Sequence, residues 1–395
     1  MTPRHQRALG RRKMLFALGG AAMAAPAIAA LAPYALADTG SAAAGALPLT
    51  LVNNSGSFDN ASVHVYIVGN VDGKQVRVAP DGTLAPIALS DNGADGFTDY
   101  AISLNSGAET TISLPYLSGR IYVSLGAKLK FKAVADGNGS PALQYPAGWV
   151  TSDPNYGVLH DCAEFTHNAS GMFCNTTMVD MFSVPLSIRL TGAQDQTTGT
   201  LRDGGRASVF AAVRQVEEFA PLVVDDTRVI APGHGLDAGL FAADYFAPYI
   251  DEVWSTYTGK DLTVTTNAGA FTGRVRADRF TFTGPASVSF AKPSTRDVLF
   301  CDGNLAAPND GTTGPVAAVL GAGFNRSTLL SNPAQPTTDA SAFYGTDLTN
   351  HYAKAVHAAT ADGRAYGFAF DDVADFASYV QDTAPTAIRL TLTPF

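Results

Sequence analysis

A β-rich scaffold interrupted by one mixed α/β insertion is the architecture this sequence predicts, and three observations carry it. Up to about residue 200, short runs of β-branched and aromatic residues are punctuated by Asp72-Gly73, Asp81-Gly82 and Asn92-Gly93, a rhythm that belongs to a β-sandwich or barrel. Helical spacing of apolar residues begins only after Gly204-Gly205. Strict alternation then returns in Ile388, Leu390 and Leu392 near the end. The chain is expected to leave its β domain and come back, with residues 46–204 and 361–395 in the β domain and 205–360 in the insert.

In chain order, the first segment is an export signal. Arg4, Arg7 and the pair Arg11-Arg12 precede an Ala- and Leu-rich run from Met14 to Ala32 and the small-residue motif Ala35-Leu-Ala37, the layout of a cleaved secretory peptide over 1–37. The twin arginine points to the Tat route and so to an extracellular protein. Residues 38–45 are Gly, Ala and Ser, a flexible leader. Leu47 to Val52 and Val63 to Val68 read as strands, and Ile121 to Val134 as two strands joined tightly at Gly126. Ala163-Glu-Phe-Thr166 and Thr176 to Phe182 are too short and too β-branched for helices. In the second, Asp180 would share a sheet face with Thr176, Met178 and Phe182.

Within the insert, Arg206 to Phe219 and Leu236 to Tyr257 carry apolar residues at helical spacing, the second kinked or divided by Pro248. Gly233-His-Gly235 reads as a loop, lacking the lysine and preceding strand of a phosphate-binding turn. Leu262 to Thr266 and Phe280 to Phe282 are strands, and Val316 to Leu330 and His351 to Thr360 are helices. Tyr366 to Phe370 and Ala387 to Leu392 are strands that complete the β domain.

Composition narrows the function. Removal of 1–37, which holds five basic residues and no acidic one, takes the net charge from −9 to about −14. Such a surface repels phosphate backbones and anionic lipid, whereas a neutral polysaccharide meets no such barrier. Neither nucleic acid nor, after cleavage, a membrane is an expected partner, and the protein is expected to act as a monomer. The seven histidines are scattered and no CxxC occurs, so neither a metal site nor any cofactor is expected. Of the three cysteines, Cys162 and Cys174 are the pair chosen if a bridge forms, with Cys301 left over.

The segment from Asp153 to Pro185 is the candidate chemical centre. Glu164 and Asp180 both sit among apolar neighbours, where a carboxylate needs a partner or a task. Two such groups on neighbouring strands can divide glycoside hydrolysis, one protonating the leaving oxygen and one activating water. The plain alternative is a pair of solvated or salt-bridged strand residues.

The order SDPNY, D-x-x-EFT, then N-T-T-x-V-D-M-F-S-V-P-L resembles glycoside hydrolase family 64, the secreted β-1,3-glucanases of the laminaripentaose-producing type. Ser118-Gly-Arg-Ile-Tyr-Val-Ser-Leu-Gly126 and Tyr366-Gly-Phe-Ala-Phe-Asp-Asp-Val373 look like the same family. The resemblance implies a thaumatin-like β domain that forms a wide groove with the insert, an inverting endo-type attack on β-1,3-glucan, Glu164 as general acid and Asp180 as general base. Phe165, Met178 and Met181 would desolvate Glu164, while Thr176 or Asn175 would support the charged Asp180. It further implies that Thr166 and Asn168 contact sugar, that Phe173, where the family often has Trp, either stacks on a sugar face or packs in the core, and that Asp371 and Asp372 either bind sugar hydroxyls or cap a turn. The competing reading from another class is a thaumatin-like glucan-binding protein without turnover.

Overall fold

The computed structural model describes residues 45–395; the proposed signal segment and nearly all of the leader lie outside the described residues. Of the described residues, those up to His234 together with 355–366 and 378–395 form one compact unit, and Gly235–Lys354 with Gly367–Ala377 form another. Residues 205–234 therefore pack with the sheets.

The first unit is mainly β. One sheet runs in the order Tyr379–Asp382, Gly171–Asn175, Leu159–Asn168, Leu117–Leu125, Val63–Val71, Lys74–Val78 and Leu84–Pro86, with Ile102–Ser103 also on the Val63–Val71 strand. A second sheet runs Asp195–Thr198, Leu186–Thr191, Ala387–Leu392, Leu47–Asn53 and Glu109–Leu114. All pairs in these two sheets are antiparallel except Leu47–Asn53 with Ala387–Leu392, which is where the returning chain closes the second sheet.

Their inner faces share one core, with Val65, Ile67, Ile121, Val123 and Phe165 from the first sheet against Leu49, Leu51, Ile112, Ile188 and Leu390 from the second. Each such fully buried side chain contributes roughly 1.5–3 kcal/mol. The alternation expected for Ile388, Leu390 and Leu392 is the inward set of its strand. Between Val71 and Lys74, Asp72 and Gly73 both have positive φ, 48° and 77°, as a two-residue hairpin turn requires.

In the second unit, the strands Ser287–Ala291, Arg279–Thr283, Gly269–Arg276, Leu262–Thr266 and Ala334–Gln335 form a sheet in that order. The helix Ala247–Gly259 buries Tyr249, Ile250, Val253, Trp254 and Tyr257. Pro248 opens this helix instead of kinking it, because its missing N–H falls where no helical bond is due.

Three local expectations are corrected. Tyr366–Phe370 is not a strand: only Tyr366 bridges, to Thr177, and the following residues turn. Gly233-His-Gly235 lies in a short helix, Pro232–Asp237. The strand expected over Thr176–Phe182 shrinks to Met181–Phe182, paired with Arg228–Ile230; residues 176 to 178 are all buried, so no alternation survives there.

Candidate active site

The outer face of the larger sheet carries the site. Along Leu159–Asn168, Ala163 and Phe165 turn into the sandwich core, which sends the intervening Cys162, Glu164 and Thr166 to the opposite face. Antiparallel register places Arg120 beside Glu164 on one neighbouring strand and Asn175 on the other. Thr166 is flanked in the same way by Ser118 and Phe173.

Glu164 is buried, 8% exposed, and its Oε1 accepts from Arg120 Nε at 3.1 Å and Nη2 at 2.7 Å. The same Nη2 lies 3.8 Å from Oδ2 of Asp180. The two carboxylate oxygens are thus no farther apart than those two contacts laid end to end, close enough for both groups to act on one bond. A single guanidinium charge faces both carboxylates, and its Nη1 also donates to the Tyr122 hydroxyl at 3.2 Å.

Asp180 reaches this point from the irregular segment before Met181–Phe182, and its backbone carbonyl accepts from Ala231 N–H at 3.1 Å. Its Oδ1 is 2.7 Å from Nε2 of His234. A carboxylate only accepts, so Nε2 carries the proton of that bond. The imidazole stacks on Trp149, ring centroids 4.3 Å apart and planes 22° from parallel. Trp149 follows Gly148, whose carbonyl accepts from the fully buried Arg228 at 2.9 Å. A Cβ at Gly148 would stand 2.3 Å from Arg228 Nη1 and 2.8 Å from both His160 Cε1 and Met181 Sδ, so any larger residue would have to displace these side chains. Beside Asp180 lies a cavity of about 20 Å³ bordered by Arg120, Tyr122, Trp149, Asp161 and Thr177 among others, large enough for one water.

Two further titratable groups border that cavity. Burial pushes the Asp161 carboxyl up to about 7 against three backbone N–H donors, those of Ser183, Val184 and Cys162. Burial pulls His160 down to about 4, and its Nδ1 donates to the Val158 carbonyl at 2.8 Å.

The expected site residues divide. Glu164, Asp180, Thr166 and Phe173 lie in this unit; Thr166 and Phe173 occupy the row of the sheet next to Glu164, both half-buried, and the Thr166 hydroxyl is 2.9 Å from that of Ser118. Asn168 is exposed at the end of the strand, where its Oδ1 accepts from Ser170 N–H. Asp371 belongs to the other unit and is fully buried; Arg326 Nη2 donates to its Oδ1 at 3.0 Å and Gly367 N–H to its Oδ2 at 2.9 Å. It is therefore not an exposed sugar-facing carboxylate, and its bond from Gly367 N–H fits the other reading of FAFDDV, a cap on a turn. Asp372 beside it is half-buried, its carboxyl pushed up to about 6 by desolvation.

Other expectations fail for identifiable reasons. The Thr176 hydroxyl and Asn175 Oδ1 have no hydrogen-bond partner, so support for Asp180 comes from His234 and Arg120 instead. Phe165 cannot desolvate Glu164 because it points into the sandwich. All three cysteines are free and buried: Cys162 is paired with Tyr122 on the site face, whereas Cys174 is level with Phe165 and faces the core. A sheet separates them. Burial pushes all three thiols up, which makes them unreactive.

Arg120, His234 and Trp149 were not singled out from sequence. Arg120 lies inside a segment already notable for its wording, but nothing local marks its partners 44 and more residues away.

Comparison with known proteins adds to this geometry. The model of glycoside hydrolase family 64, described as β-1,3-glucanase, matches residues 45–392. Glucan endo-1,3-beta-glucosidases of Arthrobacter sp. (strain YCWD3) and Cellulosimicrobium cellulans are each 35% identical over 373 residues, covering 90% of this chain and 66% of theirs. The chain thus spans a little under two thirds of the length of these relatives. A laminaripentaose-producing β-1,3-glucanase solved in complex with laminaritetraose is 38% identical with a TM-score of 0.80, over 89% of this chain and 99% of that one. A family 64 β-1,3-glucanase domain from Clostridium beijerinckii is 30% identical with a TM-score of 0.78, over 90% and 100%.

Proposed function

The chain belongs to glycoside hydrolase family 64, and from that premise we propose that it is an endo-acting β-1,3-glucanase that cleaves its substrate with inversion, Glu164 serving as acid and Asp180 as base. The observation that supports this most is the meeting of the two carboxylates at one guanidinium, with a water-sized cavity beside Asp180.

In the proposed reaction, Glu164 protonates the glycosidic oxygen as its bond to the anomeric carbon breaks. A water held by Asp180 attacks that carbon from the opposite face and gives its proton to Asp180. The product carries the inverted anomer, and one proton passes back from Asp180 to Glu164 through solvent to reset the pair. Arg120 balances the one negative charge that the pair carries, on Asp180 before the step and on Glu164 after it. Thr166 and Phe173, one row along the sheet, are the proposed sugar contacts on this face, the hydroxyl for a sugar hydroxyl and the ring for a sugar face; Asn168 at the strand end extends them. We also propose export as a monomer after cleavage of 1–37, with a thaumatin-like β scaffold, from the twin arginine and the motif order.

The test is incubation with laminarin, curdlan, lichenan and cellulose, followed by product sizing and NMR of the first anomer released. Oligosaccharides from laminarin and curdlan with the α-anomer first are expected. Release from cellulose but not laminarin overturns the substrate, the β-anomer first overturns inversion, and binding without release overturns catalysis.

A further inference from the structure

We propose that His234, clamped by Trp149, is the positioning residue of the hydrolytic base, fixing the Asp180 carboxylate so that Oδ2 faces the water to be activated. The inference rests on the reading of Asp180 as base.

A carboxylate on an irregular segment can rotate about its last bond, and each rotation moves the accepting oxygen relative to the water. The hydrogen bond from His234 Nε2 to Oδ1 at 2.7 Å removes that freedom for one oxygen. The other oxygen is left on the side of Arg120 Nη2, 3.8 Å away. An imidazole free to swing would fix nothing, and here the stacked Trp149 ring restrains it.

Trp149 is in turn placed by its neighbour's carbonyl, held by Arg228, whose other terminal nitrogen donates to the Val158 carbonyl at 2.8 Å. The fixing thus runs from a fully buried arginine through Gly148 and Trp149 to His234 and Asp180. Orientation of a reacting group matters steeply, since displacement by about 1 Å can cost roughly 100-fold in rate.

The charged and titratable groups around this dyad are Arg120 and Tyr122 on one strand, His160, Asp161, Cys162 and Glu164 on the next, and Arg228 on the strand paired with Met181–Phe182. A donor to the ionised base favours the ionised form, so its loss moves the acidic limb of the kcat/KM profile toward neutral pH.

The experiment measures kcat, KM and the pH profile on laminarin for His234→Ala, His234→Gln and Trp149→Ala, with Asp180→Asn alongside. Expected for His234→Ala is a fall in kcat of roughly 10- to 100-fold, an unchanged KM, an acidic limb shifted toward neutral pH, and partial restoration of kcat by added imidazole. His234→Gln, which keeps an N–H at similar reach, should retain more activity than His234→Ala, and Trp149→Ala should lose part of it with the same shift. Wild-type kcat and an unmoved limb in the His234 variants overturn the proposal while Asp180→Asn remains inactive. Turnover by Asp180→Asn overturns the underlying reading instead. Should His234→Ala fail to fold, the limb position in His234→Gln and Trp149→Ala decides.

Discussion

Two arginine–carboxylate pairs, one in each unit, use the same groups for different ends. Arg326 and Asp371 have side chains 2% and 0% exposed. The guanidinium sits over Phe343, Phe368 and Phe376, 4.7, 5.5 and 5.2 Å from the ring centroids, and donates to the carbonyls of Val373 and Asp371 as well as to the carboxylate. Arg120, Glu164 and Asp180 keep 11 to 12% of their side chains exposed, and one cation is divided between two carboxylates beside a cavity. A charge pair held by backbone carbonyls and sealed by rings, even with Arg326 Nε left unpartnered, serves the fold. A pair whose cation is shared between two carboxylates and borders a water-sized cavity has the parts that the proposed proton transfer needs.

The largest expected effect lies on the sealed side. Asp371→Ala strands Arg326 among three rings and should destabilise the protein by about 3–5 kcal/mol, read as a lower midpoint in chemical denaturation, while kcat of the folded fraction stays near wild type. A stable but inactive Asp371→Ala would erase the distinction.

The comparison sharpens with pH on the open side, because Asp161 and His160 border the cavity with opposite signs. For Asp161, folded near 7 against an ordinary 3.8, the native state holds a proton that the unfolded chain releases, so stability is lost as pH rises from about 4 to 7. For His160, folded near 4 against 6.5, the unfolded chain binds the extra proton, so stability is lost as pH falls from 6.5 to 4. The two slopes offset. Relative to wild type, the melting temperature of Asp161→Asn should climb more steeply between pH 4 and 6.5, and that of His160→Gln should decline across the same range. Parallel curves for all three proteins would remove these groups from the account.

The smallest effect marks the far end of the exposure scale. Arg389 and Glu109 meet at 2.6 Å with side chains 38% and 48% exposed. Glu109→Ala should cost no more than about 1 kcal/mol in the same denaturation measurement.

The difference between the pairs also explains what could be read from sequence. Local periodicity was enough for Leu262–Thr266, for the helix that buries Val209, Phe210 and Val213, and for the closing strand at Ile388, since each buries one face set by its own spacing. Family 64 wording located Glu164 and Asp180. Apolar flanks, however, surround Asp371 in FAFDDV as they surround Glu164 in CAEFT, and the flanks do not reveal which carboxylate meets water. That is decided by partners 45 residues away for Asp371 and 44 for Glu164. His234 escaped for the same reason, its partner Asp180 lying 54 residues back, and the cysteine pairing failed because sequence spacing does not tell opposite sheet faces apart.

Most direct for the central claim is the turnover of Glu164→Gln and Asp180→Asn on laminarin, measured as reducing-sugar release beside binding of the same glucan. The pair of roles assigned to these residues predicts that each variant loses roughly 10²- to 10⁴-fold in kcat with binding largely intact. Wild-type turnover in either one would contradict it.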